Sequence, residues 1–470
     1  MCPEAAPAVE LNLVRRASAC HVGIFSVIRF RKLLVAVAPV ALLALTPASA
    51  GAESLYAAMA KAYENNPDLN AARAGLRATD EGVAIAKSGY RPTIAAQSEL
   101  TYTNTEGVEV RTATVGVSVT QTLFDGFQTR NNVRAAEAQV FAGRQNLRGT
   151  EMDILLATAE AYANVIRDNR IVSYRKQNIA FLQEQLSAAQ ARFDVGESTR
   201  TDVSQAEAQL AGARALLTAA DAQAKSSAAV YAQIVGSAPS NMKAVSVPQR
   251  ILPNSLESAV ALGLREHPSI LAAEFAVDAA DYNVKSREGA MLPGVSVSGS
   301  VNETDTGTTI GQVQARIAVP LYQGGLASAQ VRQAKESLGQ QRILVDTARR
   351  AVEQAIIASW TQMEASRANI NANRAQLRAS DLALNGVVEE RRVGQRTTLD
   401  VLIAQQSVLE AREALAQSER NLVVASYSVL AATGRLTVDR LGLQVANYRP
   451  EKHYEATKDR WYGLRTIDGR

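Results

Sequence analysis

A nine-residue pattern that occurs twice governs what this 470-residue chain can become. Val393, Gly394, Gln395, Arg396, Thr397, Thr398, Leu399, Asp400 and Val401 match, 198 positions earlier, Val195, Gly196, Glu197, Ser198, Thr199, Arg200, Thr201, Asp202 and Val203. Each copy leads into the same spacing. Val401, Val408, Leu415, Leu422 and Val429 lie seven apart beside the small row Ala404, Ala411, Ser418, Ala425 and Ala432. The earlier copy runs Val203, Leu210, Leu217, Ala224 and Tyr231 beside Ala206, Ala213, Ala220, Ser227 and Ile234. A seven-residue apolar repeat keeps one seam of a helix facing its neighbour only if the helices supercoil left-handedly, and alanine on half the seam brings the backbones close. The chain reads as a tandem duplication of long coiled-coil helices.

The helices that precede the repeated pattern are longer still. Gly126 to Gly196 spans 70 positions, and so does Gly324 to Gly394. At about 1.5 Å per residue a helix of that length reaches roughly 100 Å, far more than a globule requires. The seam in the first copy is Val133, Val140, Leu147, Ile154 and Ala161, then a step of four to Val165, Val172, Ile179, Leu186 and Phe193. The second is Val331, Leu338, Val345, Val352 and Ser359, then Met363, Ile370, Leu377 and Leu384. A four-residue step is a stutter that locally unwinds a supercoil, expected near Ala161 and Ser359. The predicted helices are 128–195, 199–235, 326–392 and 397–433.

Before each long helix the period changes to two. Ile94, Ala96, Ser98, Leu100 and Tyr102 alternate with polar neighbours, and Ala113, Val115, Val117 and Val119 alternate with Thr112, Thr114, Gly116, Ser118 and Thr120. Val295, Val297, Gly299 and Val301, then Val313, Ala315, Ile317 and Val319, do the same in the second half. Each repeat thus contributes one β-hairpin, at about 93–123 and about 294–321, with polar tips over Asn104 to Val110 and Asn302 to Ile310. The strands have about the 9–11 residues that a tilted strand needs to cross a bilayer. Four strands cannot close, and an open edge in lipid leaves backbone groups unpaired at several kcal/mol each, so other copies of the chain must complete the wall. Glycine-rich joints at Gly126, Gly324 and Gly325 turn each hairpin into its long helix.

Residues 1–50 read as a leader. Arg29, Arg31 and Lys32 precede the apolar run Leu33 to Leu45 and the small-residue site Ala48, Ser49, Ala50. Residues 1 to about 28 stand upstream of an ordinary leader, as a start placed too early would leave them. Both cysteines, Cys2 and Cys20, fall in this segment, so the remainder has no thiol chemistry. The segment also holds five basic and two acidic residues, which leaves 45 basic against 44 acidic beyond it, from totals of 50 and 46. No nucleic-acid footprint remains. The expected plan is therefore a leader at 1–50, a first repeat at 51–250, a second at 251–440 and a polar tail at 441–470. Each repeat opens with a short helix closed by proline, Leu55 to Glu64 before Pro67 and Leu256 to Arg265 before Pro268, where His267 reads as a turn residue.

No nucleophile elbow, phosphate loop or paired metal ligand is present, and His267 and His453 are the only histidines beyond the leader. Neither catalysis nor a cofactor is expected. The constellation that recurs is the turn at Gly196 and Gly394, where Thr199 and Thr397 cap the next helix and Asp202 and Asp400 take the third helical position. Capping alone accounts for both aspartates; it leaves Arg200 and Arg396 unexplained.

With these marks in order and in duplicate, the chain resembles the TolC family of outer-membrane exit ducts over about Leu55 to Leu436. The marks are the duplicated plan, Asn66 with Pro67, and the joints Leu123-Phe124-Asp125-Gly126 and Leu321-Tyr322-Gln323-Gly324-Gly325. Val393 and Gly394, followed by Arg396, Thr397 and Asp400-Val401-Leu402, complete them. The resemblance implies a mainly α fold with a small β part: a homotrimer whose four strands per chain close a twelve-stranded barrel, continued across the periplasm by an α-barrel tunnel. It implies a passive duct for drugs or proteins, with porin activity, in the outer membrane of a Gram-negative bacterium. Its partners would be a periplasmic adaptor (membrane fusion protein), an inner-membrane pump or ABC transporter, and outer-membrane lipid. It places the periplasmic entrance, with gating, at Thr201, Asp202, Arg396 and Asp400, and the helix-turn tips at Gly196 and Gly394. The chain departs from the family at Ile403, where a second acidic residue is frequent, and at Arg391, where some members carry a tyrosine. A periplasmic coiled-coil scaffold or adaptor without a pore of its own is the competing reading; it needs no valine-faced strands.

Overall fold

A computed structural model describes residues 52–245, 247–467 and 469. The leader expected at 1–50 lies outside the described residues. In chain order the elements are α1 (Leu55–Asn65), α2 (Pro67–Lys87), β1 (Thr93–Thr105), β2 (Val108–Phe124), α3 (Gln128–Asp194) and α4 (Arg200–Val235). The second half runs α5 (Leu256–Glu266), α6 (Pro268–Gly289), β3 (Gly294–Thr304), β4 (Thr309–Ala318), α7 (Leu326–Arg392), α8 (Thr398–Ala432), α9 (Val438–Leu441) and α10 (Pro450–Thr457). A 3₁₀ turn, Ser88–Tyr90, joins α2 to β1.

The strands form one antiparallel sheet in the order β1-β2-β3-β4. Its register puts like with like. Ile94 pairs with Val119, Val119 with Gly299 and Gly299 with Val313, so one face is apolar; Thr93, Thr120, Ser298 and Gln314 line the other. The apolar side chains stand in the open, with Ile94, Leu100 and Val115 at 71%, 78% and 61% exposure. Both hairpin tips are shorter than the polar stretches suggested, because β1 runs on to Thr105 and β2 begins at Val108, while β3 and β4 leave only four residues between them. Ladder hydrogen bonds carry polar side chains into the strands wherever these point away from the apolar face.

Each strand continues into a helix, and the rows keep the order of the sheet. α2 packs on α3, α3 on α6 and α6 on α7. Further from the sheet α4 replaces α2 and α8 replaces α6, so that α3 meets α4 and α8, and α7 meets α8. The replacements are end to end. Asn66, which caps α2 by accepting from Asp68 N and Leu69 N, also donates its Nδ2 to Ile234 O at the end of α4 (2.9 Å). Gly434, just past α8, lies against His267 and Pro268 at the start of α6. His267 is thus a cap as well as a turn residue, its Nδ1 accepting from Ser269 N at 3.2 Å. The wall is four rows wide, two of them unbroken helices of 67 residues and two jointed at mid-height.

On α7 the buried seam falls where the heptads place it, at Val331, Leu338, Val345 and Val352, and after the stutter at Met363 and Ile370. Ile356 is buried as well, the sign of the extra four residues. On α3 Val133, Val140, Leu147, Ala161, Val165 and Val172 of the seam are buried and Ile154 half-buried; beyond them Ile179 and Leu186 are half-buried beside buried Asn178, Leu182, Gln185 and Ala189, and Phe193 is exposed. The thickest core lies where the joints are. Tyr162, Tyr231, Tyr427, Met59, Leu69 and Leu430 are buried there, and Tyr162 Oη donates to Glu53 O (2.6 Å) and Lys243 O (2.9 Å). The tail from 441 onward reads as polar from the sequence; it nevertheless closes this core with Leu443, and α10 packs on α2.

Gly126 shows what the strand-to-helix joint demands. Its φ is +70°, and a Cβ there would stand 2.1 Å from Gly289 O. Gly324 and Gly325 also take positive φ, +62° and +82°. Gly126→Ala should therefore destabilise the assembled protein by about 1–3 kcal/mol, since it meets backbone rather than a movable side chain. Thermal denaturation checks this, and an unchanged midpoint would show that β2 and α6 can part at no cost.

Candidate functional site: the helix-hairpin tips

The ends furthest from the sheet are the turns that join α3 to α4 and α7 to α8. They are built alike. In the first, Gly196 (φ +81°) lets its N–H reach Phe193 O (3.0 Å) and the Glu197 N–H reach Arg192 O (2.8 Å). In the second, Gly394 (φ +80°) does the same toward Arg391 O (3.0 Å), and Gln395 toward Glu390 O (2.9 Å). A left-handed residue satisfies the last carbonyls of one helix and releases the chain to begin the next.

Both caps are reciprocal boxes. Asp202 Oδ2 accepts from Thr199 N (3.1 Å), Thr199 Oγ1 (2.9 Å) and Ser198 Oγ (3.1 Å), while Asp202 N donates to Thr199 Oγ1 (3.3 Å). Asp400 Oδ2 accepts from Thr397 N (2.9 Å) and Thr397 Oγ1 (2.8 Å). These bonds to Thr199 and Thr397 hold both carboxyls below the ordinary carboxylate range, with Arg396 adding a smaller push at Asp400. Both aspartates are therefore charged at neutral pH. Thr201 and Asp400 lie on the first turns of their helices, Thr201 exposed. Arg396 donates its Nε to Glu390 Oε2 (2.8 Å), so within one chain it braces its own hairpin. Thr201 and Asp202 sit on one tip and Arg396 and Asp400 on the other.

The link that crosses between the two hairpins comes from Arg391, whose Nη1 donates to Gln185 Oε1 at 2.6 Å. Burial, with Arg192 and Arg392 nearby, makes its charge harder to carry and its pairing correspondingly important. Behind it a polar ladder joins α3 to α8. Gln405 Nε2 donates to Asn178 Oδ1 (3.0 Å), Arg175 pairs with Glu413 (2.9 Å), Arg167 reaches Gln417 (3.2 Å) and Arg420 reaches Asn164 (2.8 Å). A small apolar plug, Leu182, Leu210, Ala213 and Leu402, sits among them near the tips. Heptad reading missed the ladder, because its members lie off the seam and their partners are over 200 residues distant in the chain. Among the described residues, no group of three or more His, Cys, Asp or Glu side chains is placed to hold a metal.

With this geometry, comparison with known proteins is decisive. The family model described as outer membrane efflux protein matches residues 58–237 and 260–435, the two repeats in turn. The chain belongs to the outer membrane efflux protein family. It is 50% identical over 434 residues to the outer membrane efflux protein BepC of Brucella suis, covering 91% of this chain and 95% of that one. It is 25% identical to TolC of Escherichia coli over 386 residues, 77% and 78% of the two chains. The Campylobacter jejuni CmeC outer membrane channel has the same fold, at a TM-score of 0.74 and 15% identity over 86% of this chain and 89% of that one. The protein is an outer-membrane exit duct of the kind used in efflux or type I secretion, reaching into the periplasm of a Gram-negative envelope. It is a transport duct and no enzyme, and the poreless scaffold reading is set aside.

The caps carry a pH signature. A carboxyl whose folded pKa is depressed stabilises fully above its unfolded value, about 3.9, and loses that contribution as pH falls through the lower folded value. Hydrogen exchange corrected for intrinsic rates should therefore show the first turns of α4 and α8 opening between about pH 4 and pH 2. In Asp400→Asn the pH dependence should vanish from α8 and persist in α4. Equal behaviour of both helices in the variant would remove the assignment.

Proposed function

We propose that three copies of this chain close into one pipe, twelve strands in the membrane and twelve helical rows below, and that the tips form its periplasmic entrance. The observation that carries this reading is the sheet itself: β1 and β4 are both edge strands, and their apolar side chains face outward. Hydrocarbon offers no partner to an open edge, so β4 of one copy must meet β1 of the next. Long stretches of α7 agree, being exposed outside a single narrow seam, with Ile343 and Leu382 bare.

At the entrance, three Asp400 carboxylates around the axis form an acidic ring that favours cations. Asp202 and Thr201 on the adjacent hairpin, Arg396 across copies, and the Arg391 to Gln185 bond hold the hairpins in their closed arrangement. A periplasmic adaptor grips the tips, where Val195 and Val393 are bare, and an inner-membrane pump or ABC transporter supplies the energy. Opening requires differential contacts in two states, which a partner seated on the tips provides. The cargo we assign is small molecules, on the strength of the likeness to a protein named for efflux; AprF of Pseudomonas aeruginosa, 25% identical, is named for protease secretion.

Assembly is tested by light scattering in detergent, where the protein mass should be about three times that of one chain; a monomer would remove the pipe. Single-channel conductance in planar bilayers tests the entrance. Asp400→Asn should weaken cation preference, and Arg391→Ala, which deletes a bond to a charged group worth about 1.5–3 kcal/mol, should raise the open population about tenfold or more. Conductance unchanged in the second variant would remove Arg391 from the closure, and unchanged selectivity in the first would remove the ring.

A further inference from the structure

The C-terminal tail is long-range bonded to the base of the sheet in a way that transport does not explain. α10 is fastened to α2 by His453 Nδ1 against Asp80 Oδ2 (2.9 Å), both side chains nearly buried. The chain then runs toward β1. Lys87 Nζ pairs with Asp459 (2.6 Å), Arg91 Nη1 donates to Arg460 O (2.7 Å), and the Arg91 guanidinium lies 5.0 Å from the Trp461 ring centre. Arg91 stands two residues before Thr93, the first residue of β1. What this fixed segment presents is apolar and bare: Trp461 and Tyr462 are 65% and 90% exposed, and Leu464 is fully so. Over 460–467 the sequence carries two arginines, Arg460 and Arg465, and no acidic residue.

We infer that this segment is an interfacial anchor, seated in the headgroup region of the membrane leaflet that faces the periplasm, with glycerophospholipids of anionic headgroup as its partner. Three observations converge. The segment lies at the level where the strands begin, and a strand's apolar face is bounded at that level by the lipid headgroups. Tryptophan and tyrosine favour that zone because one end of each ring is apolar and the other is wet. Arg91, Arg460 and Arg465 supply positive charge beside them, the complement of phosphate, each such residue near an anionic surface adding to the attraction. The strong fixation of a bare apolar segment distinguishes it from a fraying end: a chain tied by the Lys87–Asp459 ion pair, hydrogen bonds at His453 and Arg460 and a cation–π contact holds its aromatic rings in one place. The inference rests on the sheet crossing the membrane.

Trp360 and Trp461 are the two tryptophans in the sequence, so Trp360→Phe leaves Trp461 as the sole reporter. This full-length variant, reconstituted into vesicles of phosphatidylethanolamine and phosphatidylglycerol, is compared with the same vesicles carrying bromine on the acyl chains near the carbonyl end. Emission should fall by about half on the brominated lipid, and the loss should shrink when bromine is moved to the bilayer centre. Adding Arg91→Ala, which removes the cation–π contact on Trp461 and the bond to Arg460 O, should restore part of the emission while the protein still floats with the vesicles. Emission indifferent to bromine but quenched by aqueous acrylamide would place the ring in water, and shielding from both would place a second copy over it; either overturns the anchor and spares the barrel. A protein that does not float with vesicles overturns both.

Discussion

Every backbone N–H and C=O inside hydrocarbon must find a partner within the protein, because lipid supplies none. In this chain the requirement is met between β1 and β2, β2 and β3, β3 and β4, and is left unmet at two outer edges. With it go the gathering of apolar side chains on one face of the sheet and polar ones on the other, and helices that keep the order of the strands they adjoin. A polar inner face of threonine, serine and glutamine would be costly in a closed core and is suited to a wet lumen.

The two kinds of helix contact differ in chemistry, and the difference bears on motion. Within the second hairpin, α7 and α8 share apolar seams, Met363 with Ala425 and Val429 among them. Between hairpins, α3 and α8 combine apolar contacts near the joints and at the Leu182 and Leu402 plug with amide and guanidinium bonds from Asn164 to Asn178, and Gln185 of α3 takes its bond from Arg391 of α7. An apolar seam loses area when parted, whereas a polar bond at the rim of the wall can exchange its partner for water once that water is admitted.

Period and punctuation make most of the fold legible in the sequence. Val331 to Ile370 on α7 and Ile94 to Val119 on the first hairpin follow their periods because each faces one environment throughout its length. Reading failed where environment changes along an element. Near the tips Asn178 and Gln185 of α3 are buried through bonds to Gln405 and Arg391 while Ile179 and Leu186 of the seam are only half-buried, and Phe193, at the helix end, drops out of it. It failed again where a partner is remote: nothing near Asp80 announces His453, 373 positions on, nor does Gln185 announce Arg391. At the tips, Gly196, Gly394 and the capping aspartates were legible as turn chemistry, since φ and caps are local. The bond from Arg391 was visible only as a departure from family habit.

The mid-height joints have a mechanical consequence. Rows α3 and α7 are single helices, stiff staves about 100 Å long, whereas the rows between them are spliced, α4 to α2 and α8 to α6, through Asn66 on Ile234, Gly434 on His267 and the apolar core gathered around these joints. A row with a splice is held along its length by packing on its neighbours rather than by one continuous backbone, so the long helices α3 and α7 carry the axial continuity from the sheet to the tips.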